Sequence, residues 1–208
     1  MNFMERVIKT FKQFDATATT AAKTFDEVEK KLREDYGESN AYTKGYAEAK
    51  TVYENTMAAA REEALAEIRS AFADMTEKVQ TFVQQPAPAD FVSTLEALKT
   101  FGEHVTQREA EVYFDKYRSN YMAGRAISNY LHDLKGYLFP IPSYDVIMDD
   151  LANLQGQAEH FIRDYRTGSY RTKLFTVEKN NPWQAEGEKL TRFLAGDVSV
   201  IAEPIENK

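Results

Sequence analysis

The sequence predicts an all-α protein with a long helical hairpin or coiled-coil arm over residues 1–85 and a compact helical domain over residues 88–208. Three observations support this prediction. Apolar residues recur at steps of three and four along most of the chain, as on one face of a helix. Proline is absent from the interiors of those periodic segments. It clusters at 86–88, where it ends a helix, and at 140–142, in a stiff and extended turn. Strand-like alternation is weak and is confined to residues 170–177, which we interpret as a short strand or an extended loop.

The predicted arm contains two helices with a break near residues 37–40. One apolar face of the first helix consists of Phe3, Val7, Ile8, Phe11, Phe14, Phe25, Val28, Leu32 and Tyr36. Gly37 and the polar residues after it indicate the break, and Ser39 or Asn40 is a suitable N-cap for the second helix. The segment 84–88, which contains two prolines, ends that second helix.

The second helix of the arm carries the strongest pattern in the chain. Its apolar stripe repeats roughly every 3.6 residues from Tyr42 to Val83, so the helix would be about 60 Å long. We predict a protein interface along this stripe, formed by Tyr42, Tyr46, Tyr53, Met57, Ala60, Ala64, Ile68, Phe72 and Met75. Either residues 3–36 of the same chain or helices of a partner would bury the stripe, and the two arrangements are compatible.

Shorter helices follow the arm. We predict that the first is capped by Asp90 and fades near Gly102, and that the second begins with the capping box of Thr106 and Glu109 and is ended by Gly136. The third is predicted to be capped by Ser143 and ended by Gly168. The last is predicted to begin at Pro182 and to continue to about Ala195. The tail from Asp197 to Lys208 contains apolar residues and is expected to dock as an extended segment.

Charge and composition exclude several classes of function. The net charge of −7 argues against general nucleic-acid binding, because phosphate contacts need clustered Lys and Arg. The absence of cysteine excludes disulfides, thiolate catalysis and Cys-ligated metals. No apolar run is long enough to span a membrane, and the N-terminus does not resemble a signal peptide, so we expect a cytoplasmic protein, or a virion protein if a phage encodes it.

Candidate catalytic and metal-binding residues are few. The histidines are His104, His132 and His160, and the pair His160 and Asp164 has the spacing of a surface hydrogen bond. Asp145 and Asp149 lie near a helix N-terminus, where the helix dipole favours carboxylates without any metal. Motifs for phosphate, dinucleotide, zinc or nucleophile sites are missing. We therefore expect no enzyme activity, no cofactor, no metal and no small-molecule substrate.

One locally basic stretch lies at 163–173. Its positive charges are Arg163, Arg166, Arg171 and Lys173. Contact with phosphate or with an acidic partner is one interpretation. We favour the other, in which the arginines complement the C-terminal helix dipole and the tyrosines between them pack inward. The short N-terminal helix similarly suits a helical bundle better than a membrane surface.

Residues Ala41–Tyr53 read Ala-Tyr-Thr-Lys-Gly-Tyr-Ala-Glu-Ala-Lys-Thr-Val-Tyr and lead into Met57–Ile68, which is rich in Ala, Glu and Arg. This segment resembles the helical repeats of small phage and prophage virion-assembly proteins, which pair tyrosines at i, i+4 ahead of such a helix. The chain departs from the scaffolding type in its aromatic C-terminal half. The resemblance implies a structural or assembly role in a virion, without chemistry and without site residues to carry over.

We accordingly predict a non-enzymatic structural or assembly protein that acts by helix–helix association, with itself or in a larger assembly. The alternative is a cytosolic helical adaptor or regulator that binds a protein partner through the aromatic helices of residues 88–208. Tyrosine is common at interfaces because its ring is apolar and its hydroxyl is polar, but it also serves in cores.

Overall fold

The computed structural model describes residues 2–139, 141–165 and 182–195, and these ranges are all-α, as predicted. Within them the α-helices are α1 (Phe3–Tyr36), α2 (Asn40–Val83), α3 (Phe91–Phe101), α4 (Gln107–Tyr117), α5 (Tyr121–Lys135), α6 (Tyr144–Arg163) and α7 (Pro182–Leu194). A 3₁₀ turn at Gly102–His104 follows α3. The segment 170–177 and the tail from Asp197 lie outside the described residues.

Helices α1 and α2 form the predicted antiparallel hairpin. Gly37 has a φ of 56°, a backbone conformation that favours glycine, and it reverses the chain at the predicted break. Near the reversal Arg33 lies beside Tyr42, with 3.4 Å between Nη2 and the tyrosine hydroxyl. At the other end the rings of Phe3 and Phe72 meet edge to face at 4.8 Å. The stripe of α2 is therefore covered, at least in part, by α1 of the same chain.

Helix α1 runs without a break through the Thr- and Ala-rich segment 15–24. Its first turn is held by a capping box, in which the Asn2 side chain accepts from the Glu5 amide and the Glu5 carboxylate accepts from the Asn2 amide. Further along, the hydroxyls of Thr17 and Thr20 donate to carbonyls four residues earlier in the helix. The threonines weaken the helical propensity of this segment, but their polar groups are satisfied locally.

The chain divides into two compact units, and this division differs from the predicted boundary at 85–88. The first unit contains Met1–Phe72 and Asn153–Gln184, and the second contains Ala73–Ala152 and Ala185–Lys208. The described residues 153–165, at the end of α6, belong to the first unit together with α1. The reason is packing in the first unit, where the apolar face at the end of α6 lies against α1.

Aromatic side chains form the centre of the first unit. The ring of Phe11 contacts Phe161 at 4.9 Å and Trp183 at 5.7 Å, and Phe14 contacts Tyr165 at 4.9 Å. The indole N–H of Trp183 donates to the carbonyl of Leu154 at 3.1 Å, so the buried tryptophan has its polar group satisfied.

The second unit has its own aromatic cluster of Phe82, Tyr121 and Phe193. The sequence predicted one helix from Thr106 to about residue 134, but the structure contains two, because the chain breaks at Arg118–Asn120. Asn120 accounts for the break. Its side-chain oxygen accepts from the Ala123 amide at 3.0 Å and its Nδ2 donates to the Pro86 carbonyl at 2.9 Å. Thr106 and Glu109 do form the predicted capping box.

Asp90 precedes α3 as predicted, but its side chain does not cap the helix. The carboxylate instead pairs with Lys116 at 2.6 Å, and this hydrogen bond holds the pKa of Asp90 below its ordinary value. The backbone carbonyl of Asp90 accepts from the hydroxyls of Ser93 and Thr94. Asp90 thus links α3 to α4. Among all the helices described, none is both long enough and apolar enough to cross a membrane.

Candidate helix-docking site on the distal hairpin

The apolar stripe of α2 is buried along part of its length only. The predicted interface residues that are buried within the chain are Met57, Ala64, Ile68, Phe72 and Met75. The remaining ones, Tyr42, Tyr46, Tyr53 and Ala60, are half-buried. Burial along the stripe changes near Met57. From Met57 onwards most of the stripe is covered by other parts of the chain, and before Met57 it is partly open to solvent.

We call residues 19–56 the distal hairpin. Every one of these residues is described, and none of them is buried. Ala18 and Met57, which flank the segment, are both buried. Two helices can bury only the strip along which they touch, so the sides of the distal hairpin stay open to solvent.

One side of the distal hairpin forms a groove with a volume of about 820 Å³, which we call the distal groove. Its lining residues are Ala16, Thr17, Thr20, Ala21, Thr24, Phe25, Val28, Leu32, Gly45, Glu48, Ala49, Val52, Tyr53 and Thr56. Most of them are apolar or threonine, and Glu48 is the one charged member. Such a surface suits the side chains of another helix better than a polar ligand.

Phe25, Leu32 and Gly45 shape the floor of the distal groove. The Phe25 ring lies between Tyr46 at 5.6 Å and Tyr53 at 5.3 Å. Leu32 packs over Gly45 so closely that a Cβ there would come within 2.7 Å of its Cδ2 atom. These contacts bring α1 and α2 together along the floor, while the walls above remain uncovered.

The walls of the distal groove expose valine and threonine. Val28 is 39% exposed and Val52 is 66% exposed. The hydroxyls of Thr17, Thr20 and Thr56 donate to carbonyls of their own helices at 3.1, 2.8 and 2.8 Å. Because these donors are already satisfied, a partner can cover them without leaving an unpaired polar group.

Charges around the distal groove are placed at its edges. Glu48 lines the groove, and Lys44 lies one turn before it on α2. On α1, Lys31 continues the line of Thr20 and Thr24. Within the described part of the chain, neither a hydrogen bond nor an ion pair engages the side chains of Glu48, Lys44 or Lys31. These edge charges are available to an approaching surface.

A second groove of about 920 Å³ lies nearer the other end of the α1–α2 pair. Its walls include Arg6, Lys9, Gln13, Glu63 and Glu67. The Arg6 guanidinium is paired with Glu67 at 2.6 Å and also donates to Ser70, so the polar groups satisfy one another. This groove is a charged surface between packed helices and has less apolar area to offer a partner than the distal groove.

The other predicted candidates are separate from the distal groove. His160 Nε2 lies 3.4 Å from Asp164 Oδ2, which is the surface contact that the spacing favoured. Asp145 and Asp149 are exposed on α6. Burial, with help from the charges of Glu186 and Asp149, raises the pKa of Asp150. In the described ranges no group of three or more His, Asp and Glu side chains is arranged to hold a metal ion.

Of the predicted basic patch, only Arg163 lies in a described range. Its Nη2 donates to Glu159 at 2.7 Å, one turn earlier on α6, so its charge is partly neutralised by its own helix. Arg166, Arg171 and Lys173 lie outside the described residues. The patch therefore remains a prediction.

Sequence reasoning missed the α1 wall and Val52 as parts of a site. Val52 lies next to Tyr53 but off the main stripe of α2. A signal was present, because Gly45, Ala49, Val52 and Thr56 repeat at steps of three and four beside the tyrosines. This second, weaker stripe matches the wall of the distal groove.

The chain was compared with protein-family models, with curated proteins and with solved structures. None of the three comparisons found a significant match.

Proposed function

We propose that this protein is a non-enzymatic structural or assembly component that associates with other helices through the distal groove. The observation that carries the proposal is the exposed apolar wall formed by Val28 and Val52. The same chain buries Phe11 and Phe72 almost completely at other levels of the hairpin. A groove lined mainly by apolar side chains on a folded chain is a candidate interaction site.

The energetics favour a helix as the ligand. Burial of apolar surface stabilises association by about 25 cal/mol per Å², so covering two valines and the sides of Phe25 contributes several kcal/mol before the cost of association. The groove runs along two adjacent helix axes, and side chains spaced i, i+3 and i+4 on a third helix match its length.

The setting that we propose is the assembly of a phage or prophage virion. Support comes from the resemblance of Ala41–Tyr53 and Met57–Ile68 to repeats of virion-assembly proteins, and the distal groove includes part of that segment. The resemblance implies a structural or assembly role without chemistry.

A helical adaptor acting through the aromatic residues of the C-terminal half is the second candidate. Phe114, Tyr117 and Tyr121 are buried inside the second unit, where they contribute to its core. Val112 and Met122 remain exposed on α4 and α5. Because the large aromatics already have partners within the unit, we prefer the distal groove as the docking surface.

A substitution at Val52 tests the proposal. Val52→Asp places a charge in the wall of the distal groove, and Val92→Asp is the matched control because Val92 is 62% exposed outside the groove. Virions released after prophage induction in the host of origin should contain the protein by mass spectrometry. We expect Val92→Asp to be incorporated like the wild type and Val52→Asp to be lost from the particles. Equal incorporation of both variants, or absence of the wild-type protein from particles, would contradict the proposal.

A further inference from the structure

We infer that the occupant of the distal groove is a second copy of this chain, docked antiparallel so that two hairpins form a four-helix bundle near their tips. This inference rests on the proposed function and adds the identity and direction of the partner. The evidence is the pattern of charges at the edges of the groove, taken together with the side-by-side register of α1 and α2.

The register within one hairpin follows from its contacts. Leu32 lies against Gly45, so Lys31 and Lys44 lie within about 3 Å of the same level along the hairpin. Phe25 lies between Tyr46 and Tyr53, so Glu48 is level with the turn of α1 that carries Glu27. Each level of the groove thus has the same sign on both edges, positive nearer the tip and negative one turn away.

Two grooves that face each other across a two-fold axis can run parallel or antiparallel. In the parallel arrangement, α1 of one copy faces α2 of the other at the same level. Glu48 then faces Glu27 and Lys44 faces Lys31, so like charges oppose each other at both levels. Such juxtapositions are unfavourable and select against this arrangement.

In the antiparallel arrangement, α2 faces α2 of the second copy in the reverse direction. With the axis near Tyr46, Lys44 of each copy meets Glu48 of the other. The same axis passes near Glu29 on α1, because Arg33 lies beside Tyr42, and Glu29 and Tyr46 each lie one turn farther from the loop that joins the two helices. Lys31 of each copy then meets Glu27 of the other. Among the described residues, Glu27 has an exposed contact with Lys23 at 3.8 Å.

The size of the overlap sets the strength of the dimer. The overlap on α2 begins at the loop of the hairpin, residues 37–39, and ends at the position that the two-fold axis relates to that loop. It covers about 15 residues, or about 22 Å, over a width of about 20 Å. The two copies together therefore bury on the order of 900 Å², at the low end of specific interfaces. We expect a reversible dimer at micromolar concentrations, which is suited to contacts repeated within a larger assembly.

Charge reversal tests both the partner and the direction. Lys44→Glu places a second carboxylate against Glu48 of the other copy, and Glu48→Lys places a second ammonium group against Lys44 of the other copy. Each variant alone should dimerise about tenfold more weakly than the wild type in sedimentation equilibrium, since two symmetry-related pairs become repulsive. An equimolar mixture of the two variants should form a heterodimer at least as tight as the wild-type dimer. Glu54→Lys is the matched control, because Glu54 is exposed outside the groove and pairs with Lys50.

The outcomes separate this inference from the proposed function. A parallel dimer would become tighter with Glu48→Lys, which would overturn the antiparallel arrangement. A wild-type chain that stays monomeric at several hundred micromolar overturns the second copy as occupant. If such a monomer is still incorporated into particles through Val52, the proposed function survives and another helix fills the groove. If Val52→Asp has no effect on incorporation either, both proposals fail.

Discussion

Arg69 on α2 and Glu159 on α6 form a two-point ion pair within the first unit. The Nε and Nη2 atoms of Arg69 donate to separate oxygens of the Glu159 carboxylate at 3.1 and 3.0 Å. Gln155 and Arg163 donate to the same carboxylate at 3.0 and 2.7 Å. The Glu159 side chain is 15% exposed, so these four hydrogen bonds replace most of its hydration.

Acid should weaken the first unit through Glu159. The hydrogen bonds from Arg69 and Gln155 lower the pKa of Glu159 from 4.5 to about 2. A lowered pKa in the folded state means that the carboxylate stabilises the fold above about pH 4.5, and this stabilisation is lost as the pH falls towards about 2. Because Arg69 is largely exposed, we expect Glu159→Gln to cost about 1 kcal/mol at pH 7.

Urea unfolding of the wild type and of Glu159→Gln at pH 7, 4 and 2.5 measures this contribution. The difference between the two should shrink as the pH falls. Glu62→Gln serves as the control, since Glu62 is exposed on α2 and should unfold like the wild type at every pH. A difference that stays constant with pH would show that Glu159 does not act through its ionised form.

Ala64 on α2 tests the register of the buried stripe. The residue is 5% exposed, so Ala64→Arg would bury an unpaired charge and is expected to cost several kcal/mol. Glu63 is exposed one position earlier, and Glu63→Arg should cost well under 1 kcal/mol. Thermal unfolding followed by circular dichroism compares the two variants. If Ala64→Arg melted with the wild type while Glu63→Arg was strongly destabilised, the register described for α2 would be wrong.

Gly124 on α5 is required for close packing against the end of α4. A Cβ at this position would lie 3.0 Å from the Tyr117 carbonyl oxygen and 3.0 Å from Cδ1 of Ile141. The backbone oxygen cannot move aside easily, so Gly124→Ala should destabilise the protein by about 1–3 kcal/mol, despite the better helix propensity of alanine.

Gly156 on α6 is the matched control for this glycine. A Cβ there meets nothing within 4 Å, so Gly156→Ala should stabilise the protein by about 0.5–1 kcal/mol through helix propensity alone. Chemical denaturation midpoints of the two variants should therefore move in opposite directions. A shift of both in the stabilising direction would mean that α4 and α5 are not in contact at Gly124.

Asn120 should contribute more to stability than an ordinary helix cap. It is buried, caps α5 through the Ala123 amide and also donates to the Pro86 carbonyl. Asn120→Ala removes both bonds and should cost about 2 kcal/mol, against about 1 kcal/mol for Thr106→Ala at the exposed cap of α4. Equilibrium unfolding of both variants measures the ratio. Equal losses would indicate that the bond to Pro86 contributes nothing.

The helices themselves follow from local sequence patterns. The spacing of apolar residues predicted a helix from near Asn40 to Val83. Gly37 indicated the break before this helix, and the prolines after Gln85 indicated its end. Capping residues such as Thr106 were recognisable because a cap acts within one turn. The break at Asn120 was missed because its amide is held partly by Pro86, which is distant in the sequence.

The sequence predicted a helix–helix interface on α2 but not the part of the hairpin where it lies. The tyrosines at 42, 46 and 53 and the stripe from Met57 to Met75 follow the same periodicity, so the sequence assigned them to one interface. In the structure the second group is buried within the chain except for Ala60, and the first group is half-buried. Only the tertiary structure places Val28 of α1 and Val52 of α2 on the walls of one groove.

The sequence by itself determined that the chain is helical, that residues 1–85 contain two long helices and where most helices end, because these properties depend on residues within a few turns of one another. It left open whether α1 of the same chain or a partner covers α2. Only the tertiary structure decided which part of the hairpin is covered. Phe161 and Trp183 pack on Phe11, far from them along the chain, whereas no residue of the distal hairpin is buried. Burial depends on contacts between distant segments, and periodicity within one helix carries no information about which segment will supply them.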